Sequence, residues 1–187
     1  MSPTVWSIGH SNVSIERFLD LLHAYDIAVV ADVRSSPTSR FTPHFGKDQL
    51  QRHLEMAGLR YVFMGRELGG RPVDPQMYEA DGRARYDLMA RSDLFRSGLE
   101  RLTRGVAQYR VAVTCSEEDP MSCHRRRLVG RVLADERIEM LHIRGDGRIE
   151  TEAVLRVRES TEHPDRFQLG WLDEAPWTSI HPVRSTG

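Results

Sequence analysis

The chain has 187 residues, a formal net charge of −1, and hydrophobic and charged shares of 40% and 28%, the balance of an ordinary water-soluble domain with its own core. No apolar run reaches the roughly 18 to 20 residues of a membrane span, and the start, MSPTVWSIGH, lacks the basic-then-apolar order of a signal peptide. Near-neutral charge excludes a general nucleic-acid footprint and leaves only a local basic patch open.

Two cysteines without a disulfide framework suit a reducing compartment, so a cytoplasmic location is expected. Of 26 basic residues only Lys47 is lysine. In so arginine-rich a chain, an arginine points to a site only at strand ends and helix starts.

Val5-Trp6-Ser7-Ile8 reads as a first strand, stopped by Gly9-His10-Ser11-Asn12. Ser14 is placed to cap a helix that aligns Ile15, Phe18, Leu19 and Leu22 on one face. Residues 27–33 (IAVVADV) form the near-continuous apolar run of a strand buried on both faces. It ends in Asp32-Val33-Arg34, and a Ser-, Pro- and Thr-rich loop continues past Arg40 and His44.

Residues 47–57 predict a second amphipathic helix, stopped by Gly58. Residues 59–63 (LRYVF) predict a third strand, followed by Glu67-Leu68-Gly69-Gly70-Arg71. No periodicity persists over 73–85, which reads as a long functional loop. Helical patterning resumes near Tyr86, with Ser92 capping a helix that Gly105 closes.

The most informative stretch is 109–127, YRVAVTCSEEDPMSCHRRR. A β-branched run ends in Cys115-Ser116-Glu117, and Cys123-His124-Arg125 opens the next helical pattern. Residues 139–143 (EMLHI) predict a fifth strand ending near His142, and 151–158 a short helix.

Strands alternating with helices imply right-handed crossovers and a mainly parallel sheet. The expected architecture is a single three-layer α/β domain over 1–158, with about five strands and helices on both faces. Residues 159–187 are expected to be an extension packed on the surface or a partner. Trp171 and Trp177 would there cap the core or line a dimer contact.

Parallel strands bring their carboxyl ends to one edge, where open α/β sheets bind ligands. That edge collects Gly9, His10 and Ser11, then Asp32 and Arg34, then Glu67, Gly69 and Gly70, then Cys115, Glu117, Cys123, His124 and Arg125, and finally His142. Asp32 and Arg34 stand two apart and share a face while the strand stays extended. They form either a structural ion pair or an anion site with an orienting carboxylate. Arg40, Arg66 and Arg71 lie in loops and extend any such site, or are simply solvated. The Gly69-Gly70 pair allows close backbone approach, but neither G-x-G-x-x-G nor a P-loop pattern is present.

Cys123, beside His124 and Arg125 at a helix start, is the better candidate nucleophile. Cys115 lies near Glu117 and Glu118, whose charges oppose thiolate formation. A tyrosine-phosphatase loop needs arginine six residues after its cysteine, and those positions are Met121 and Val129. Cys115, Cys123 and His124 with His10 or His142 form a metal donor set in composition, yet the gap between the cysteines is no standard zinc spacing. No metal ligand is assigned at this level. The bland alternative is two half-buried thiols packing a turn.

The segments SIGHSN, DVRSSPTSR, RELGGR, CSEEDPMSCHR and MLHI, in that order, resemble the bacterial and archaeal family called domain of unknown function 488, over roughly residues 5–143. The resemblance implies a compact α/β fold and a shared site. Its motif positions are Gly9, His10, Ser11, Asp32, Arg34, Pro37, Arg40, Glu67, Gly69, Gly70, Cys115, Glu117, Cys123, His124 and Arg125. It implies no activity.

The leading expectation is an enzyme acting on a small anionic, phosphate-bearing substrate such as a nucleotide or a nucleic-acid component. Arg34, Arg40 and Arg125 would bind the anion, with Gly9, Ser11, Glu67, Gly69 and Gly70 lining the site. His10, Asp32, Glu117 and His124 are acid–base candidates, and Cys115 or Cys123 the nucleophile. The competing readings are a non-catalytic nucleotide or nucleic-acid binding module, and a thiol or metal protein using Cys115 and Cys123. No cofactor is assigned, and a monomer or homodimer is expected.

Overall fold

The computed structural model describes residues 3–38, 40–163 and 177–183. Its β-branched runs pair into one six-stranded sheet: β1 (Thr4–Gly9), β2 (Val29–Asp32), β3 (Arg60–Phe63), β4 (Val111–Cys115), β5 (Glu139–Ile143) and β6 (Ile149–Glu150), ordered β3-β2-β4-β1-β5-β6. The first five run parallel, as the alternation of strands and helices requires, and β6 is antiparallel to β5. The sheet thus has one strand more than expected. Ile149 and Glu150 are too short a pair to leave a periodic signal.

Successive side chains on a strand point to opposite faces, and the core divides accordingly. One face buries Val29, Ala31, Val111 and Val113 under α3 (Gly65–Leu68), α4 (Tyr86–Arg91), α5 (Asp93–Val106) and α6 (Arg131–Asp135). The other buries Ile8, Val30 and Ala112 under α1 (Ile15–Ala24) and α2 (Lys47–Met56). In α1 the apolar spacing pays off as buried Phe18, Leu21 and Leu22, each stabilising by about 1.5–3 kcal/mol. Ser14 and Ser92 cap α1 and α5 through their side chains, accepting from the amides of Arg17 and Phe95.

Local readings differ in three places. Gly105 lies inside α5, which runs on to Val106. The 73–85 stretch is organised by a 3₁₀ turn, Pro75–Met77, and a bridge between Tyr78 and Ala84. Cys123 does not open a helix: it is extended, at the end of the 3₁₀ turn Pro120–Ser122, and His124 leads into a π-helical stretch, Arg125–Gly130, before α6.

The last helix among the described residues, α7 (Glu152–Glu162), starts at the Thr151 cap and passes the position 159 where the extension was expected to begin. Trp177 packs on its own chain: its indole donates to the Arg127 carbonyl (2.8 Å), and the Arg131 guanidinium stands 4.3 Å from its ring. Trp171 lies outside the described residues. Among the described residues no helix is long and apolar enough to cross a membrane.

Candidate functional site

The strand ends do gather on one edge, but the pleat sorts them onto two faces. In register, Gly9 lies opposite Cys115 and Asp32 opposite Thr114. Asp32 therefore points with Ala112 and Thr114, away from Cys115.

On the α1/α2 face, Arg34 grips Asp32 with two nitrogens, Nε to Oδ1 at 2.8 Å and Nη2 to Oδ2 at 2.6 Å. Its Nη1 donates to the Phe45 carbonyl (2.8 Å) and to His10 Nε2 (3.1 Å). Because His10 Nε2 accepts from a guanidinium, its proton sits on Nδ1, which donates to the Ser11 carbonyl (2.8 Å). The ring stacks on Phe45 at 4.1 Å. Burial, reinforced by the charge of Arg34, lowers the His10 pKa to about 4. Tyr61 donates to Asp32 Oδ2 at 2.8 Å, and burial beside that carboxylate pushes its phenol upward. This cluster is internally satisfied, with the Arg34 donors directed at partners within the chain.

On the opposite face, Cys115, Cys123 and His124 converge. Both thiols direct hydrogen bonds to Glu117 Oε2, at 2.8 Å from Cys115 and 3.2 Å from Cys123. The sulfurs lie 3.6 and 3.9 Å from His124 Nδ1. His124 Nε2 donates to the Val33 carbonyl at 3.0 Å, which leaves Nδ1 as the acceptor facing the sulfurs in the neutral ring. The cysteines are buried and Glu117 is exposed, so the cluster reaches the surface through that glutamate.

The two thiols are inequivalent. The Cys115 thiol is pushed well up by its hydrogen bond with Cys123 and by burial. For Cys123, burial opposes ionisation, but the hydrogen bond from Cys115, the charge of Arg125 and the bond with His124 outweigh it and hold its pKa well below the ordinary thiol value. His124 is raised despite burial, because the Cys123 thiolate and Glu117 favour its cation.

The flanking residues hold this cluster in place. Gly9 lies so close to the acidic turn that a Cβ there would stand 1.7 Å from the Glu117 carbonyl oxygen. The amides of His10 and Ser11 donate to the carbonyls of Cys115 (3.0 Å) and Ser116 (2.8 Å). A Cβ on Gly70 would meet the His124 ring at 2.8 Å, so only glycine seats that imidazole. Gly69 is packed similarly against Ser35, and Glu67 pairs with Arg101 (2.8 Å).

Arg125 is fully buried and spends its guanidinium on the carbonyls of Glu117 and Glu118 and on Ser7 Oγ. It thus fixes the turn that carries Glu117. Arg40 and Arg71, by contrast, are exposed on loops, whereas Arg66, expected in a loop, is exposed on the short helix α3. His142 stands apart, buried with Nδ1 2.6 Å from Ser7 Oγ.

Several contributors were not singled out from sequence. Arg144 grips the Glu118 carboxylate (2.8 and 2.6 Å) and pairs with Glu150, while Arg158 reaches Asp119 (2.8 Å). With Arg125 they clamp the acidic turn from three sides. Arg144 follows a parallel strand end directly, so the strand-end rule could have found it. Ser7 and Tyr61 carry no such signal.

The sequence model of the family described as "Domain of unknown function DUF488" matches residues 14–132. Comparison with curated proteins and with solved structures gives no match.

Proposed function

The chain belongs to the DUF488 family, and on the geometry of its strand-end cluster we propose that it is an enzyme acting on a small anionic substrate, of the phosphate-bearing class to which nucleotides belong. The reacting groups are Cys123, as thiolate nucleophile, and Glu117, as the exposed acid–base group. His124 and Cys115 position and polarise that thiolate.

One observation carries the reading: two buried thiols share a single carboxylate oxygen of an exposed glutamate and face a single imidazole nitrogen. Thiols that only fill a turn need neither a lowered Cys123 pKa nor a shared exposed glutamate. The anion is assigned to exposed Arg71, which follows Gly70 and hence the His124 ring. Arg34 and Arg125, whose donors are engaged within the chain, act as positioning residues.

The test is turnover of a library of nucleotides and small phosphorylated compounds, followed by mass spectrometry. The wild-type chain should convert at least one member, and Cys123→Ser and Glu117→Gln should abolish conversion while circular dichroism stays native. Undiminished conversion by Cys123→Ser refutes the nucleophile. Ligand retention without conversion, lost in Arg71→Ala and kept in Cys123→Ser, establishes a binding module instead.

A further inference from the structure

We propose that Cys115 Sγ, Cys123 Sγ and His124 Nδ1, with Glu117 Oε2 as the fourth donor, form a binding site for one tetrahedral, borderline-soft divalent cation of the zinc type. The inference rests on the reading of this cluster as the reactive centre and names what sustains its thiolates.

The three buried donors lie within 4.8 Å of one another. An ion about 2.3 Å from sulfur and about 2.0 Å from imidazole nitrogen sets a tetrahedral S···N edge of roughly 3.5 Å. The observed edges are 3.6 and 3.9 Å. The Glu117 oxygen lies 2.8 and 3.2 Å from the two sulfurs, slightly inside such an edge. An exposed carboxylate side chain can open by that amount without moving the backbone.

The outer shell also suits an ion. A metal-bound imidazole ordinarily donates its other N–H to a carbonyl or carboxylate, and His124 Nε2 donates to the Val33 carbonyl at 3.0 Å. Cys123 Sγ accepts from the Arg125 amide at 3.5 Å, a contact that favours thiolate sulfur. Two thiolates and one imidazole select zinc-like ions over calcium or magnesium, which prefer oxygen.

Adjacent ligands are reachable because the chain changes conformation between them: Cys123 is extended at the end of its turn and His124 is helical. Both side chains thereby reach one point despite a spacing unlike the usual zinc motifs. Glu117 is the only exposed member of the four, so it is the donor a substrate can displace, the arrangement of a reactive rather than a closed structural site.

The full chain would be purified without chelator, its metal content measured, then stripped and titrated separately with cobalt(II) and zinc(II). Expected are about one zinc per chain and, with cobalt, intense tetrahedral visible bands with a sulfur-to-cobalt charge-transfer band. Cys115→Ser, Cys123→Ser and His124→Ala should each lower zinc affinity by about 100-fold or more, and Glu117→Gln by less.

Absence of tight zinc or cobalt binding by the wild-type chain, or weak octahedral cobalt absorption, overturns the proposal. So does a Cys115–Cys123 disulfide in metal-free protein that resists reductive loading. If the cysteine variants misfold, the wild-type charge-transfer band still decides, since only thiolate ligation produces it. Metal binding by a chain that converts no substrate would sink the proposed enzyme and spare the metal site. Cys123-dependent turnover by a chain that takes up neither zinc nor cobalt would do the reverse.

Discussion

Replacing His142 by asparagine is expected to flatten the acid sensitivity of the fold. The imidazole is 1% exposed, its Nδ1 lies 2.6 Å from Ser7 Oγ, and its Nε2 has no partner. Burial, then the charges of Arg125 and Arg126, lower its pKa from 6.5 to about 3. Between those values the unfolded chain takes up a proton that the native chain refuses, so native stability falls as the pH drops through that window.

From neutrality to about pH 5 the ratio of the two binding polynomials gives a loss of about 2 kcal/mol for His142. His10, lowered to about 4, adds about 2 kcal/mol over the same interval. His124 has the opposite sign: its raised pKa contributes stability that is present in acid and lost as the pH rises. The wild-type total is therefore a net quantity, and the decisive number is a difference between variants. Urea midpoints of the wild type and His142→Asn would be compared at neutral pH and at about pH 5. The wild type should lose roughly 1 M more in midpoint than the variant. Equal losses in the two proteins would refute a neutral, proton-refusing His142.

Three further outcomes are expected. Gly70→Ala places a Cβ 2.8 Å from the His124 ring, so it should cost about 1–3 kcal/mol in urea unfolding and shift the pH profile of Cys123 alkylation upward as the imidazole is displaced. Arg125→Met strands the carbonyls of Glu117 and Glu118, at about 1–3 kcal/mol for each group left unpaired, while Ser7 keeps its bond to His142; the loss is measurable by thermal and urea unfolding. Arg148→Ala removes only the exposed pair with Asp146 and should stay within about 0.5 kcal/mol of wild type in the same assay.

The parallel architecture was legible because its signals are local. The apolar run around β2, the serine caps of α1 and α5, and the alternation of strand and helix each depend on residues a few positions apart. The edge that gathers the candidate residues followed from that topology alone.

What escaped depends on register and on partners. Asp32 and Cys115 both end parallel strands, yet Asp32 pairs with Thr114, one residue short of Cys115. That single step sends the two side chains to opposite faces and divides one expected site into two clusters. Arg34 and Arg125 read as anion-binding cations because a sequence shows charge without showing who receives the hydrogen bonds. The extended Cys123 was missed because its turn is set by Asp119, whose carboxylate accepts from the Met121 amide (2.9 Å), and by Pro120 rather than by helical periodicity.

The two rims of the sheet bear on how this chain meets copies of itself. At one rim β6 offers only two residues, too few to template another strand. At the other, the Arg101 guanidinium donates to the Phe63 carbonyl (3.1 Å) and the Lys47 ammonium stands 4.5 Å from the Phe63 ring. An incoming strand would have to strip those cations from β3 before it could pair. Exposed edges guarded in this way are how folded proteins avoid edge-to-edge aggregation. A sheet with one rim shortened and the other charged should therefore stay dispersed at high concentration.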